Sequence, residues 1–147
     1  MINNIVIRTA NKKDNNNIVK LLTDVLYEFG MKLDSIYDND IEDMRSYYGG
    51  KNDLFLVAEV DDCIVGICGI KELEKGTGEV RKLYVLSDYR GLGLGARLFD
   101  KILSFAKEHQ YVKLILATDV QFIQAIKLYS SRGFKIVKKE EDIYMEK

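Results

Sequence analysis

The 147-residue chain has no proline, one histidine, two cysteines and almost no imbalance of charge. Each shortage excludes something. With no proline, no internal repeat and no low-complexity stretch, nothing reads as a linker, so one domain over residues 1–147 is expected. A chain of that size can bury roughly two-thirds of its unfolded surface. A net charge of −1, from 22 basic and 23 acidic residues, lacks the basic surplus of a nucleic-acid binder. No apolar run approaches the length of a membrane span, and the polar start Met1-Ile-Asn-Asn lacks the charged-then-apolar pattern of a signal peptide. A cytoplasmic protein without membrane contact is expected. Cys63 and Cys68 lie five residues apart without metal-type spacing or a cluster of other ligands, so no metal site is expected and both read as reduced, buried or half-buried thiols. His109, at the end of a long helix, reads as a surface residue favoured by the helix dipole rather than as a base.

What is present is a composition of 47% hydrophobic and 31% charged residues, ordinary for a globular protein. The chain is organised around Glu79 to Asp100. Val80, Leu83 and Val85, with Tyr84 between them, suit a half-buried strand. Gly91, Gly93 and Gly95 follow after a short lead-in, and Leu98, Ile102, Phe105 and Ala106 then recur at helical spacing, giving a helix from about Gly93 to Glu108. Glycines let the backbone turn tightly and approach a ligand. The free N–H groups and positive dipole end of the helix favour phosphate, with Arg90 as a cation beside them. Residues Arg90, Gly91, Leu92, Gly93, Leu94, Gly95 and Ala96 therefore read as a phosphate-binding loop.

Around this centre the other elements are short. Ile5–Arg8 reads as a strand, and Thr9–Asp14 offers turn and cap chemistry. Ile18, Leu21, Leu22, Val25, Leu26 and Phe29 mark a helix ending at Gly30. Asp40 is expected to cap a shorter helix through Ile41, Met44 and Tyr48 that ends at Gly49-Gly50. Leu54–Val60 and Cys63–Ile70 form a hairpin turned at Asp61-Asp62. Leu114–Ala117, a continuous apolar run, is expected to be a strand buried on both faces. Thr118 or Asp119 is expected to cap a helix carrying Phe122, Ile126 and Tyr129, with Gly133 in the left-handed position at its end. Phe134–Val137 and Asp142–Met145 close the chain as strands.

Gly91-x-Gly93-x-x-Ala96 formally satisfies the dinucleotide fingerprint, with Asp119 downstream for a ribose contact. Three features oppose that reading. Leu86–Arg90 separates the strand from the first glycine, the preceding strands form an antiparallel hairpin, and too little chain follows Asp119 for a doubly wound sheet. Arg90-x-x-Gly93-x-Gly95 instead resembles the pyrophosphate loop of the GNAT superfamily of acyl-CoA N-acyltransferases, written Gln/Arg-x-x-Gly-x-Gly/Ala. Ala125-Ile-Lys-Leu-Tyr129-Ser-Ser-Arg-Gly133-Phe134 is similar to that superfamily's A-x-x-L/F-Y-x-x-x-G-F segment. The order and spacing of these blocks extend the resemblance over essentially the whole chain. It implies an α/β (α+β) fold in the order β-α-α-β-β-β-α-β-α-β-β: a mixed, mostly antiparallel sheet of about seven strands flanked by about four helices.

The resemblance also implies a chemistry: acetyl transfer from acetyl-CoA to a primary amine of a small molecule or a protein, by direct attack on the thioester. In this fold the strand bearing Leu83, Tyr84 and Val85 splays from its neighbour, and those residues would bind pantetheine while Arg90–Ala96 bind pyrophosphate. Tyr129 matches the general acid that protonates the leaving thiolate, although a ring packed at a helix end is the plainer reading. Glu79 lies eleven residues before Arg90, the offset of the glutamate base in the histone-acetylating branch, but an ordinary strand glutamate would look the same. Phe122 stands where relatives often carry an Asn that contacts the cofactor or the facing strand, leaving Gln121 or Gln124 to replace that contact. The acceptor pocket would draw on Tyr27, Asp34, Tyr37, Asp38, Tyr47, Tyr48 and Glu141, suiting a cationic amine unless these form only a solvated acidic loop. A homodimer is left open. So are a non-catalytic acyl-CoA sensor and a dinucleotide-binding protein.

Overall fold

The computed structural model of the chain describes residues 4–139 and 142–147. Their elements are β1 (Val6–Thr9), α1 (Asn15–Glu28), α2 (Met44–Tyr47), β2 (Leu54–Val60), β3 (Cys63–Glu74), β4 (Thr77–Val85), α3 (Leu94–Glu108), β5 (Lys113–Asp119), α4 (Ile123–Ser131), β6 (Lys135–Lys139) and β7 (Asp142–Glu146). The strands form one sheet in the order β1-β2-β3-β4-β5-β7-β6. Neighbours are antiparallel except β4 and β5, which run parallel. This is the expected element order and the mixed, mostly antiparallel sheet.

Apolar stripes decide the layers. Ile18, Leu21, Leu22, Val25 and Leu26 of α1 pack with Met44 and Tyr48 against Phe55, Val57 and Ile67 on one face. On the other face Leu94, Leu98, Phe99, Ile102 and Ala106 of α3 meet Leu56, Val65, Val80, Met145 and the Tyr129 ring. Burying each large apolar side chain contributes about 1.5–3 kcal/mol, so these two stripes seat α1 and α3 on opposite faces. The hairpin turns at Asp61 and Asp62, both at positive φ (48° and 65°), as a two-residue turn matching strand twist requires. Gly133 (φ 92°) ends α4, with its own N–H bonded to Ser130 O and the Phe134 N–H to Tyr129 O, both at 3.1 Å. This left-handed cap fixes the chain around Tyr129.

Several expectations need correction. The second helix is only Met44–Tyr47, preceded by a 3-10 turn at Asn39–Ile41, and Asp43 caps it by accepting from Ser46 N. Asp40 is no cap; it is fully buried and ion-paired, as described below. β5 is not buried on both faces: Leu114, Ile115 and Ala117 are half-buried, and Ala117 at the strand's end borders a cavity. Asp119 accepts from Gln121 N but lies in β5, and α4 starts after Phe122, whose side chain makes no capping bond. Both cysteines are free, but Cys63 is exposed at the hairpin turn and only Cys68 is buried. His109 sits at the end of α3, stacked on Phe105 with ring centroids 3.9 Å apart and 3.1 Å from Asn52 Oδ1, away from both cavities described next.

Candidate active site

β4 and β5 are paired only at Thr77–Lys113, Gly78–Leu114 and Glu79–Ile115. Beyond Glu79 the two strands part, so β4 from Val80 onward has no strand partner on that side. The cause is visible on the opposite edge. Against β3 the register passes from Ile67–Tyr84 to Gly69–Arg81, so that one residue of β3, Cys68, faces two of β4, Lys82 and Leu83. The extra residue makes a bulge, and Lys82 takes the left-handed conformation (φ 61°) within it. A bulge bends its strand and re-aims its side chains. That conformation costs a non-glycine residue about 1–3 kcal/mol, and Lys82 is held there by ion pairs to Asp38 Oδ1 at 3.0 Å and Asp40 Oδ1 at 3.2 Å.

Two cavities meet in the opening. The larger, about 650 Å³, lies between Leu83–Val85, the glycine loop, the start of α4, and Val25 and Phe29 of α1. In its loop, Gly91 (φ 75°) and Gly93 (φ 80°) adopt conformations that a Cβ penalises by about 1–2 kcal/mol. A Cβ at either would meet nothing within 4 Å, so backbone shape rather than crowding calls for glycine, and the space above the loop is open. Gly93 caps α3 with no side-chain bond, leaving helix N–H groups and the positive dipole end free for an anion. Gly95 and Ala96 lie in the first turn and line the cavity, Leu94 turns its side chain into the core, and Leu92 is half out in solvent. Arg90 lines the wall too, but its charge is shared. Nε donates to Val85 O and Nη2 to Glu28 Oε1, both at 2.9 Å.

The smaller cavity, about 310 Å³, is bounded by loop residues 31–38, β4 from Val80 to Tyr84, the end of β5, and Tyr129. Its wall carries both signs of charge. Arg81 bonds to Asp40 Oδ2 (3.3 Å), to Glu79 Oε1 (3.0 Å) and to Tyr37 O (3.1 Å). Asp40 Oδ2 also accepts from Tyr48 Oη at 2.6 Å. Of the acceptor residues expected from sequence, Asp34, Tyr37 and Asp38 line this cavity. Tyr48 stands behind it on Asp40, Tyr47 packs beside the Arg81 guanidinium, and Tyr27 is 81% exposed and outside it. Glu141 lies outside the described residues. Arg81, Lys82, Asp119 and Asp142 were not anticipated. The trace of the bulge in the sequence is the three-residue spacing of Val80 and Leu83, which pack into the same core.

Tyr129 is 6% exposed, its ring against Phe99 (5.1 Å between centroids), and its hydroxyl has no hydrogen-bond partner among the described residues. Burial, with Cys68 behind it, pushes the phenol well above its usual value of about 10. It is a firmly protonated donor. Glu79 does not form the cavity wall; Arg81 holds its Oε1, and Oε2 carries no hydrogen bond among the described residues. Leu83, Tyr84, Phe122 and Ala125 line both cavities.

This geometry can hold an anionic, extended ligand along the free edge of β4 and set its far end beside a phenol. Residues 18–134 match the model of the acetyltransferase (GNAT) family. The chain belongs to that family. It is 37% identical over 100 residues to the N-acetylaspartate synthetase of Xenopus tropicalis, a match covering 67% of this chain and 37% of that protein. The chain thus spans well under half the length of that curated relative. Among solved structures, a GNAT-family acetyltransferase from Staphylococcus aureus Mu50 aligns over 97% of this chain and 98% of that one, with TM-score 0.87 and 26% identity. An acetyltransferase from Salmonella typhimurium, solved with its cofactor acetyl-CoA, shares the fold (TM-score 0.75, 20% identity, 98% of this chain and 93% of that one). The GNAT fold anticipated from the two motifs is the fold observed.

Proposed function

We propose that this GNAT protein transfers an acetyl group from acetyl-CoA to a primary amine by direct attack on the thioester. The observation that carries the reading is the parting of β4 from β5 after Glu79, beside the uncapped N-terminus of α3. The Salmonella structure with acetyl-CoA supports the choice of donor. Pyrophosphate would lie against the Gly91–Ala96 backbone, where the helix dipole favours negative charge. Pantetheine would run along Leu83–Val85 as an added strand, taking the unpaired backbone groups. A backbone N–H there would polarise the acetyl carbonyl as its oxygen gains charge.

The amine nitrogen then bonds to the thioester carbon, the C–S bond breaks, and the sulfur receives a proton. Tyr129 supplies it. Because burial raises this phenol above a thiol's value of about 8.5, complete transfer is uphill. Its main contribution is the hydrogen bond that stabilises sulfur as the C–S bond opens. The amine's proton leaves through water to Glu79, whose Oε2 is free. An acyl-cysteine route has no support, since Cys68 is buried with its thiol pushed up and Cys63 lies at the hairpin turn. We assign the acceptor to small amines entering the 310 Å³ cavity. Its mixed charges suit an amine that also carries a carboxylate, in keeping with the name of the Xenopus relative. Among the described residues no helix is long and apolar enough to cross a membrane, and free cysteines suit a reducing cytoplasm.

Thermal shift with acetyl-CoA, CoA and NAD, followed by a thiol-release assay over a panel of amino acids, polyamines and lysine peptides, tests this reading. Stabilisation by acetyl-CoA but not NAD, with amine-dependent CoA release, is expected. A response to NAD alone overturns it. Binding of acetyl-CoA without turnover by any amine would make the protein a sensor.

A further inference from the structure

We propose that Phe122 sets the length of acyl chain the donor site accepts, and that with Tyr84 it forms a neck between the two cavities. This rests on the acyl-CoA reading above. Among the described residues only Leu83, Tyr84, Phe122 and Ala125 line both cavities. The glycine loop belongs to one cavity and Tyr129 to the other. A thioester that reaches from loop to phenol must therefore cross at these four residues. The Tyr84 and Phe122 rings meet edge to face with centroids 5.7 Å apart, and Phe29 backs Phe122 in the same manner at 4.9 Å. Phe122 thus has little room to swing aside.

Past the neck, the wall carries Asp38, Arg81, Lys82 and Asp119. An acetyl methyl ends before these groups. A longer alkyl chain would lie among them, desolvating charges and filling the space the amine needs. The other course for it is sideways toward α1, into the volume that the Phe122 ring occupies. Removing the ring would open that volume onto Val25 and Phe29, which are apolar. Phe122 is also the residue before α4, where Ser, Thr, Asp or Asn would supply a capping oxygen and phenylalanine supplies none. The position gives up a local stabilising bond, and the ring at the neck is what the chain has in exchange.

The test is calorimetric titration of wild type, Phe122→Ala and Phe122→Asn with acetyl-CoA, butyryl-CoA and hexanoyl-CoA. The Asn variant provides a helix cap, so at least one variant keeps the fold if loss of the ring weakens the core. Wild type should bind acetyl-CoA at least about tenfold more tightly than hexanoyl-CoA, and both variants should reduce that preference to about twofold or less, in line with the discrimination an apolar pocket achieves. A merely structural role would weaken all three ligands alike. An unchanged preference in the variants, or equal binding of the three esters by wild type, overturns the proposal while leaving the acyl-CoA reading intact. Failure of wild type to bind any of the three overturns both.

Discussion

The two cavities are made in opposite ways. The donor cavity is built from backbone and apolar side chains contributed by contiguous stretches: the end of β4, the glycine loop and the start of α4. It presents N–H groups left free by a helix start and a strand edge. The acceptor cavity is built from charged side chains whose partners lie far apart in sequence, such as Asp40 with Arg81 and Asp38 with Lys82. One needs a local motif; the other needs the whole fold to bring charges together.

Four changes would break or sharpen this contrast. Gly93→Glu should have the largest effect, placing a side chain and negative charge over the loop. Calorimetry should find acetyl-CoA affinity lowered by more than about 100-fold, since both the dipole site and its access are lost. Retained affinity would show that the loop is not the phosphate site. Lys82→Met should leave Asp38 buried without its cation and Asp40 with Arg81 alone, lowering unfolding stability by about 3–5 kcal/mol in urea titration. The donor cavity should be spared: acetyl-CoA affinity of the remaining folded protein should change little, and a matching loss would mean that the cavities are not independent. Tyr129→Phe should lower kcat about 100-fold with acetyl-CoA affinity unchanged, because the hydroxyl acts only as the C–S bond opens. A drop in affinity instead would make Tyr129 a binding residue.

The smallest effect is on pH dependence. Burial raises the phenols of Tyr48, Tyr84 and Tyr129, and lifts Tyr111 to about 12. Each stays protonated in the fold at a pH where it ionises in the unfolded chain, so its contribution is complete below about pH 10 and is lost as pH rises through the folded values. The melting temperature should fall as pH is raised above about 10, and less steeply in Tyr129→Phe. A Tm constant to pH 11 would contradict the burial of these rings at the neck and behind it.

The glycine turn and the helix after it were legible because their determinants are local. Glycines at 91 and 93 announce a positive-φ turn, and Leu98, Ile102 and Ala106 announce the helix that follows. The order of elements along the chain followed from the patterning and the family resemblance. What was hidden was long-range. Asp40 looks like a cap by residue type and position, yet burial against Arg81 and Lys82 gives it a different partner. Lys82 stands between Val80 and Leu83, which are three residues apart yet pack into one core; the one-residue bulge that this spacing requires brings Lys82 to Asp38 and Asp40 instead. Leu114–Ala117 reads as doubly buried because its composition is apolar, whereas of these four only Leu116 is buried and Ala117 borders the space where β4 has parted from β5. Phe122 likewise matched the helix period but stops one residue short of α4.

Amide hydrogen exchange of the full chain with and without acetyl-CoA tests the central claim most directly, since it reads the β4 edge and the loop residue by residue. If the parted strands and the uncapped helix hold the donor, protection should rise at Leu83–Val85 and Gly91–Ala96 and stay unchanged along β1, β2 and β6. Protection confined to loop residues 31–38, or no change at the β4 edge, would contradict the account.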